Sequence, residues 1–262
     1  YVMELPQMKT ESSRQLWEDE IYRFKNHLED YYDRELKPAD LDNSISLINE
    51  KRSVLKRLYN TRKAKPAPIS GKDALLITQL AFFDKAERFI EKTTELCEEL
   101  ENRIENNVGV FAEDTPRILI AGTPMPLPSW KIHDIIEQNG AAVVCEETCT
   151  GTRYFEDMVP EDGNTIDEQI SNLAERTMNI NCACFTPNTD RVDDILRLAE
   201  NYNVDGVVYY NLEFCQTYNM EYRRISKALD ENGISSIHIE SDYGDSDIAQ
   251  LQTRIQAFIE ML

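Results

Sequence analysis

Five of the six cysteines stand at the ends of apolar runs or in the connections between them. Cys145 and Cys149 lie in Val143-Val144-Cys145-Glu146-Glu147-Thr148-Cys149-Thr150-Gly151-Thr152-Arg153. Cys182 and Cys184 lie in Asn181-Cys182-Ala183-Cys184-Phe185-Thr186-Pro187-Asn188, and Cys215 closes Gly206-Val207-Val208-Tyr209-Tyr210-Asn211-Leu212-Glu213-Phe214. Thiolates are soft ligands that select zinc or an iron–sulfur centre over magnesium or calcium. Zinc knuckles favour C-x2-4-C pairs, and only Cys145 and Cys149 have that spacing. Distribution over three connections points instead to a reactive cluster. Cys149 and Cys215 lead as ligands, because each lies beyond its strand among polar residues, and Cys184 follows. Cys145 reads equally as the buried end of a strand, and Cys182 as a neighbour that packs while Cys184 ligates. The sixth, Cys97, falls on the apolar side of a helix and reads as core.

Polar residues beside the thiols offer two further roles. Glu146 or Glu147 is a candidate general base, Glu147 the stronger as the catalytic one, with a solvated or helix-capping carboxylate as the plainer reading. Arg153 has the donor fork to hold a phosphate or carboxylate of a substrate, or to form a salt bridge. His27 and His238 have no evident partner, and His133 bears on the site only if its helix begins there.

The elements that must position these residues change character along the chain. From Thr10 to Tyr32 apolar residues recur every three to four positions (Leu16, Trp17, Ile21, Phe24, Leu28), as an amphipathic helix requires. Further helices are expected from near Asp40, from Lys72 or Asp73 toward Phe83, and from Asp84 through Ile104. After Thr115-Pro116 short β-branched runs alternate with helical patterns: strands at 117–122, 141–145, 206–211 and 235–240, helices near 167–178, 190–202, 216–231 and 246–262. Ser129, Thr189 or Asp190, and Ser246 or Asp247 read as helix caps, and Gly140 and Gly233 as left-handed helix ends. Such alternation predicts an α/β fold: a helical N-terminal segment followed by a doubly wound, Rossmann-like four-stranded parallel sheet. The expected divisions are 1–6, the end of an upstream α/β domain; 7–114, helical; and 115–262, the α/β domain. Open parallel sheets bind ligands at the carboxyl ends of their strands, where these thiols would gather.

The chain has 262 residues and a formal net charge of −20, which repels a phosphate backbone and excludes nucleic acid as a partner. No apolar run approaches the roughly 20 residues of a membrane span. Six cysteines at these spacings in a chain of this length read as reduced thiols of a cytoplasmic protein rather than a disulfide framework.

The string Glu146-Glu147-Thr148-Cys149-Thr150-Gly151-Thr152-Arg153-Tyr154-Phe155-Glu156 resembles the 2-hydroxyacyl-CoA dehydratase and benzoyl-CoA reductase subunit family, and looks closest to its double-cubane cluster branch. Cys182-Ala183-Cys184-Phe185-Thr186-Pro187-Asn188, Asp205-Gly206-Val207-Val208 leading to Phe214-Cys215, and Ile239-Glu240-Ser241-Asp242-Tyr243 match as well, as does the lead-in Pro66-Ala67-Pro68-Ile69-Ser70-Gly71. The resemblance implies a subunit with two Rossmann-like domains and an iron–sulfur cluster between them, either 4Fe-4S or double-cubane. It implies Cys149, Cys184 and Cys215 as ligands, with Cys145 or Cys182 as extras. It also implies an ATP-hydrolysing activator as electron donor, a related subunit as homo- or heterodimer partner, and a CoA thioester or other small molecule as substrate. In the dehydratase branch an electron delivered to the thioester carbonyl drives loss of the neighbouring hydroxyl. The family's first domain, which supplies further cysteines, is almost absent from this sequence, so cluster retention by these residues alone is not implied.

Overall fold

A computed structural model describes all 262 residues. Ten helices and four strands follow in the order α1 (Glu11–Tyr32), α2 (Pro38–Thr61), α3 (Gly71–Leu80), α4 (Ala86–Glu105), β1 (Arg117–Gly122), α5 (Lys131–Gln138), β2 (Ala142–Glu147), α6 (Thr152–Phe155), α7 (Ile166–Met178), α8 (Asp190–Asn201), β3 (Gly206–Leu212), α9 (Gln216–Glu231), β4 (Ser235–Ser241) and α10 (Ile248–Ile259). Local chemistry explains most of the boundaries. Thr10 caps α1 through its hydroxyl, Ser70 caps α3, and Thr165 with Glu168 forms a capping box on α7. Gly140 and Gly233 adopt φ of 83° and 72° after α5 and α9, as expected of helix-ending glycines. Ser129 is not the cap of α5: Trp130 holds that place and makes no side-chain cap bond.

The four strands form one parallel sheet in the order β2-β1-β3-β4. Chain order reverses between β1 and β3, so the crevice at a topological switch point opens beyond Gly122 and Leu212. Helices cover both faces. On one, Leu119, Val144, Cys145, Val207 and Tyr209 share a core with Leu55, Leu58, Cys97 and Leu100 of α2 and α4 and with residues of α8 and α9. On the other, Ile118, Ile120, Val143, Val208 and Tyr210 pack against α5 and α10. The helical segment and the sheet thus bury one continuous apolar face together. No helix is long and apolar enough to cross a membrane.

β2 is an edge strand, and an open edge invites pairing with other chains. Arg62 closes it, donating from Nη2 to the Val143 carbonyl at 2.8 Å and gripping Glu146 from both terminal nitrogens. Tyr59 and His133 add hydrogen bonds to the same carboxylate at 2.6 and 3.0 Å. Burial alone would raise the Glu146 carboxyl, but Arg62 outweighs it and holds the group down at about 2.

Candidate thiol site at the carboxyl edge of the sheet

The connection leaving β2 turns sharply back on its own strand. A Cβ at Gly151 would meet the Glu146 carbonyl oxygen at 2.2 Å, so this close approach requires glycine. The turn leads into α6, a single helical turn that places Arg153 beneath the loop. The sequence pattern does not betray α6, which is too short to show a period.

Arg153 spends every donor it has. Nε bonds Glu147 Oε1, and Nη2 bonds the Gly122 and Glu147 carbonyls at 3.1 and 2.9 Å. Nη1 serves the Tyr218 hydroxyl and lies 3.6 Å from Cys149 Sγ. Gly122 ends β1 at φ 134°, and a Cβ there would strike the Tyr210 carbonyl oxygen at 1.9 Å. Arg153 therefore ties the ends of β1 and β2 to α9 and presents one N–H to a thiol.

Glu147, expected as a base, is buried and held by two cations. Arg191 binds it through Nε at 3.2 Å and Nη2 at 2.9 Å, opposite Arg153. Burial works to raise the carboxyl, yet Arg153 and Arg191 keep it below its ordinary value. Both oxygens are occupied, so Glu147 fixes arginines rather than accepting a substrate proton. Arg153 likewise has no free fork for a substrate anion; the salt bridge is its use. His133 is fully buried against Glu146, Tyr1 stacks on His27, and Tyr222 stacks on His238, so no histidine joins the thiols.

The turn between α7 and α8 carries Cys182 and Cys184. Asn188 pins it, donating from Nδ2 to the Cys182 carbonyl at 3.1 Å and to Glu221 of α9 at 2.9 Å. Ala183 and Phe185 are buried, whereas Cys184 is exposed and Cys182 half-buried. Cys182 Sγ lies 3.6 Å from the Tyr218 hydroxyl, so Cys149 and Cys182 meet opposite ends of one Arg153–Tyr218 pair. The three thiols act on one another directly. Their protonation is linked: the neighbouring Cys149 and Cys184 thiols lower Cys182, and Cys182 together with burial raises Cys149 and Cys184.

Cys215 caps α9 at the end of β3, one helical turn before Tyr218, and its Sγ lies 3.7 Å from the Thr217 hydroxyl. Phe214 before it holds a left-handed φ of 66° with its ring 84% exposed, a costly arrangement for a non-glycine residue. Cys145 is a different case. It is wholly enclosed in the core beside Leu119, and burial raises its thiol well above the usual range, so its expected place as an extra ligand gives way to packing. Cys97 is buried as expected. Cys149, Cys182 and Cys184 form one soft-donor group with Cys215 on the same edge, a donor chemistry that fits iron–sulfur ligation. No three Cys, His, Asp or Glu side chains of the chain are gathered closely enough to hold a metal ion by themselves.

Residues 1–262 match the family described as 2-hydroxyglutaryl-CoA dehydratase, D-component. The chain belongs to this family. Among its relatives, YjiM of Escherichia coli (strain K12), provisionally named a dehydratase subunit, is 36% identical over 266 residues, covering 100% of the chain and 68% of the relative. The (R)-phenyllactyl-CoA dehydratase beta subunit of Clostridium sporogenes is 23% identical over 97% of the chain and 65% of its own length. The (R)-2-hydroxyglutaryl-CoA dehydratase subunit beta of Acidaminococcus fermentans is 24% identical over 98% and 67%. The chain thus spans about two thirds of the length of the curated relatives it matches.

Proposed function

We propose that the protein is an iron–sulfur subunit of a 2-hydroxyacyl-CoA dehydratase-like enzyme, working with a related partner subunit and receiving electrons from an ATP-hydrolysing activator. The observation that carries the reading is the approach of Cys149 and Cys182 to the two ends of the Arg153–Tyr218 pair, with Cys184 and Cys215 at the same edge of the sheet. Family membership and the beta-subunit names of the relatives support it.

Cys149, Cys184 and Cys215 would hold the cluster, with Cys182 as a further thiolate and additional donors coming from outside these residues. Bound there, a cluster supplies low-potential electrons, one at a time, for loss of a hydroxyl from a CoA thioester or for reduction of a small molecule. The chain's own residues set the conditions. Arg153 and Arg191 neutralise Glu147 in the dry layer under the thiols, Gly151 packs the Cys149 loop on β2, and Asn188 fixes the Cys182 loop to α9. The neighbouring Cys182 and burial raise the Cys149 thiol, and the positive charge of Arg153 opposes them in part.

The test is anaerobic turnover of 2-hydroxyacyl-CoA thioesters by the whole protein with its partner subunit, activator, ATP and a strong reductant. Enoyl-CoA formation that disappears in Cys149→Ser and Cys215→Ser is expected. A protein that binds one zinc, no acid-labile sulfide, and never turns over would contradict the reading and favour a zinc-stabilised scaffold.

A further inference from the structure

Tyr218 is the one buried hydroxyl that touches the thiol group, and its hydrogen-bond directions are fixed by its neighbours. Arg153 can only donate, so the Tyr218 oxygen accepts from Nη1. The phenol proton is then left to point elsewhere, and the remaining polar neighbour is Cys182 Sγ at 3.6 Å. The ring is clamped between the guanidinium groups of Arg153 and Arg191, whose central carbons lie 5.5 and 4.7 Å from its centroid. Its backbone carbonyl accepts from the Tyr209 hydroxyl at 3.0 Å, and Arg191 in turn donates to that hydroxyl at 3.1 Å. Neither the ring nor the helix turn that carries it has freedom to aim the phenol away.

We infer that Tyr218 is a positioning residue that donates a hydrogen bond from its phenol to the sulfur of Cys182, sharpened by Arg153, and so raises the reduction potential of the iron–sulfur centre. The inference rests on the iron–sulfur reading above. A donor to a ligating sulfur withdraws electron density and stabilises the more negative, reduced state, which makes reduction easier. The chain Glu147–Arg153–Tyr218–Cys182 sums charge-assisted bonds that polarise one another, so the phenol reached through Arg153 is a stronger donor than a free tyrosine. Cys149 receives the other Nη1 hydrogen of the same guanidinium. One buried arginine thereby acts on two sulfurs, on one directly and on the other through Tyr218.

The experiment compares the whole protein, reconstituted anaerobically, with Tyr218→Phe and with a form carrying difluorotyrosine at position 218. Each is assayed for iron and acid-labile sulfide and titrated with redox dyes while the reduced cluster is followed by electron paramagnetic resonance. Tyr218→Phe keeps the ring between the arginines and is expected to retain iron and sulfide while its midpoint moves to more negative potential. Difluorotyrosine, a stronger donor of the same shape, moves it the other way, and it decides the matter if the phenylalanine variant fails to load. Midpoints unchanged in the loaded forms overturn the role of Tyr218 and leave the cluster standing. A wild-type protein without iron and sulfide overturns the cluster and this inference with it.

Discussion

Arg62 grips both carboxylate oxygens of Glu146, at 2.7 and 2.8 Å, and neither side chain has any solvent exposure. The pair joins α2 to the edge strand that launches the Cys149 loop. A buried pair of this kind adds little over an apolar replacement, but breaking it strands a charge, which typically costs about 3–5 kcal/mol. Arg62→Met should therefore lower the unfolding free energy by about that amount, measured by urea denaturation. Arg62→Met with Glu146→Leu should recover only part of the loss, because Tyr59, His133 and the Val143 carbonyl lose their buried partners.

Acid should weaken the same junction in a defined window. The Glu146 carboxyl is held at about 2 in the folded protein against an ordinary value of 4.5. A depressed carboxyl contributes fully above its unfolded value, and the contribution is lost as pH falls from about 4.5 toward about 2, by roughly 3 kcal/mol in all. Glu147, also depressed, works in the same direction. Unfolding free energies measured between pH 7 and pH 3 should fall more gently in Glu146→Gln than in the wild type.

Gly122 supports the site through its backbone. With φ at 134° and the Tyr210 carbonyl 1.9 Å from where a Cβ would sit, Gly122→Ala must part β1 from β3 or move the carbonyl that Arg153 holds. A loss of more than about 1–3 kcal/mol is expected. Cys149 and Cys182 should then react with a thiol probe faster than in the wild type, because Arg153 and Tyr218 no longer enclose them.

The helices, the four parallel strands and the arrival of three cysteine-bearing connections at one region were legible in the sequence, because each is written in local periodicity and in the strand-then-turn pattern. The partners of the charged residues were not. Glu147 sits beside Cys149 in sequence and looks like a base, yet its fate is decided by Arg191, 44 positions away. Tyr218 is only a polar residue on a helix until Arg153, 65 positions away, is placed against it. The one available hint was the density of Arg and Glu flanking buried strand ends, since a charge carried into a core must find its opposite. α6 escaped because four residues cannot display a helical period.

Cys145 and Cys149 separate packing from ligation within five residues of chain. Cys145→Ala should keep the wild-type iron content and lose about 1–2 kcal/mol of stability from the vacated core volume. Cys149→Ser, exposed at the rim, should leave stability nearly unchanged and lower the iron content instead.

The most direct measurement is iron and acid-labile sulfide per chain in the anaerobically reconstituted whole protein, with electron paramagnetic resonance of the reduced state, for the wild type, Cys149→Ser and Cys215→Ser. Iron and sulfide in near-equal amounts, with a cluster signal in the wild type that both serine variants lose while keeping wild-type circular dichroism, is the result expected. A wild type free of sulfide, or serine variants that keep the full signal, would contradict the assignment of this edge of the sheet as the cluster site.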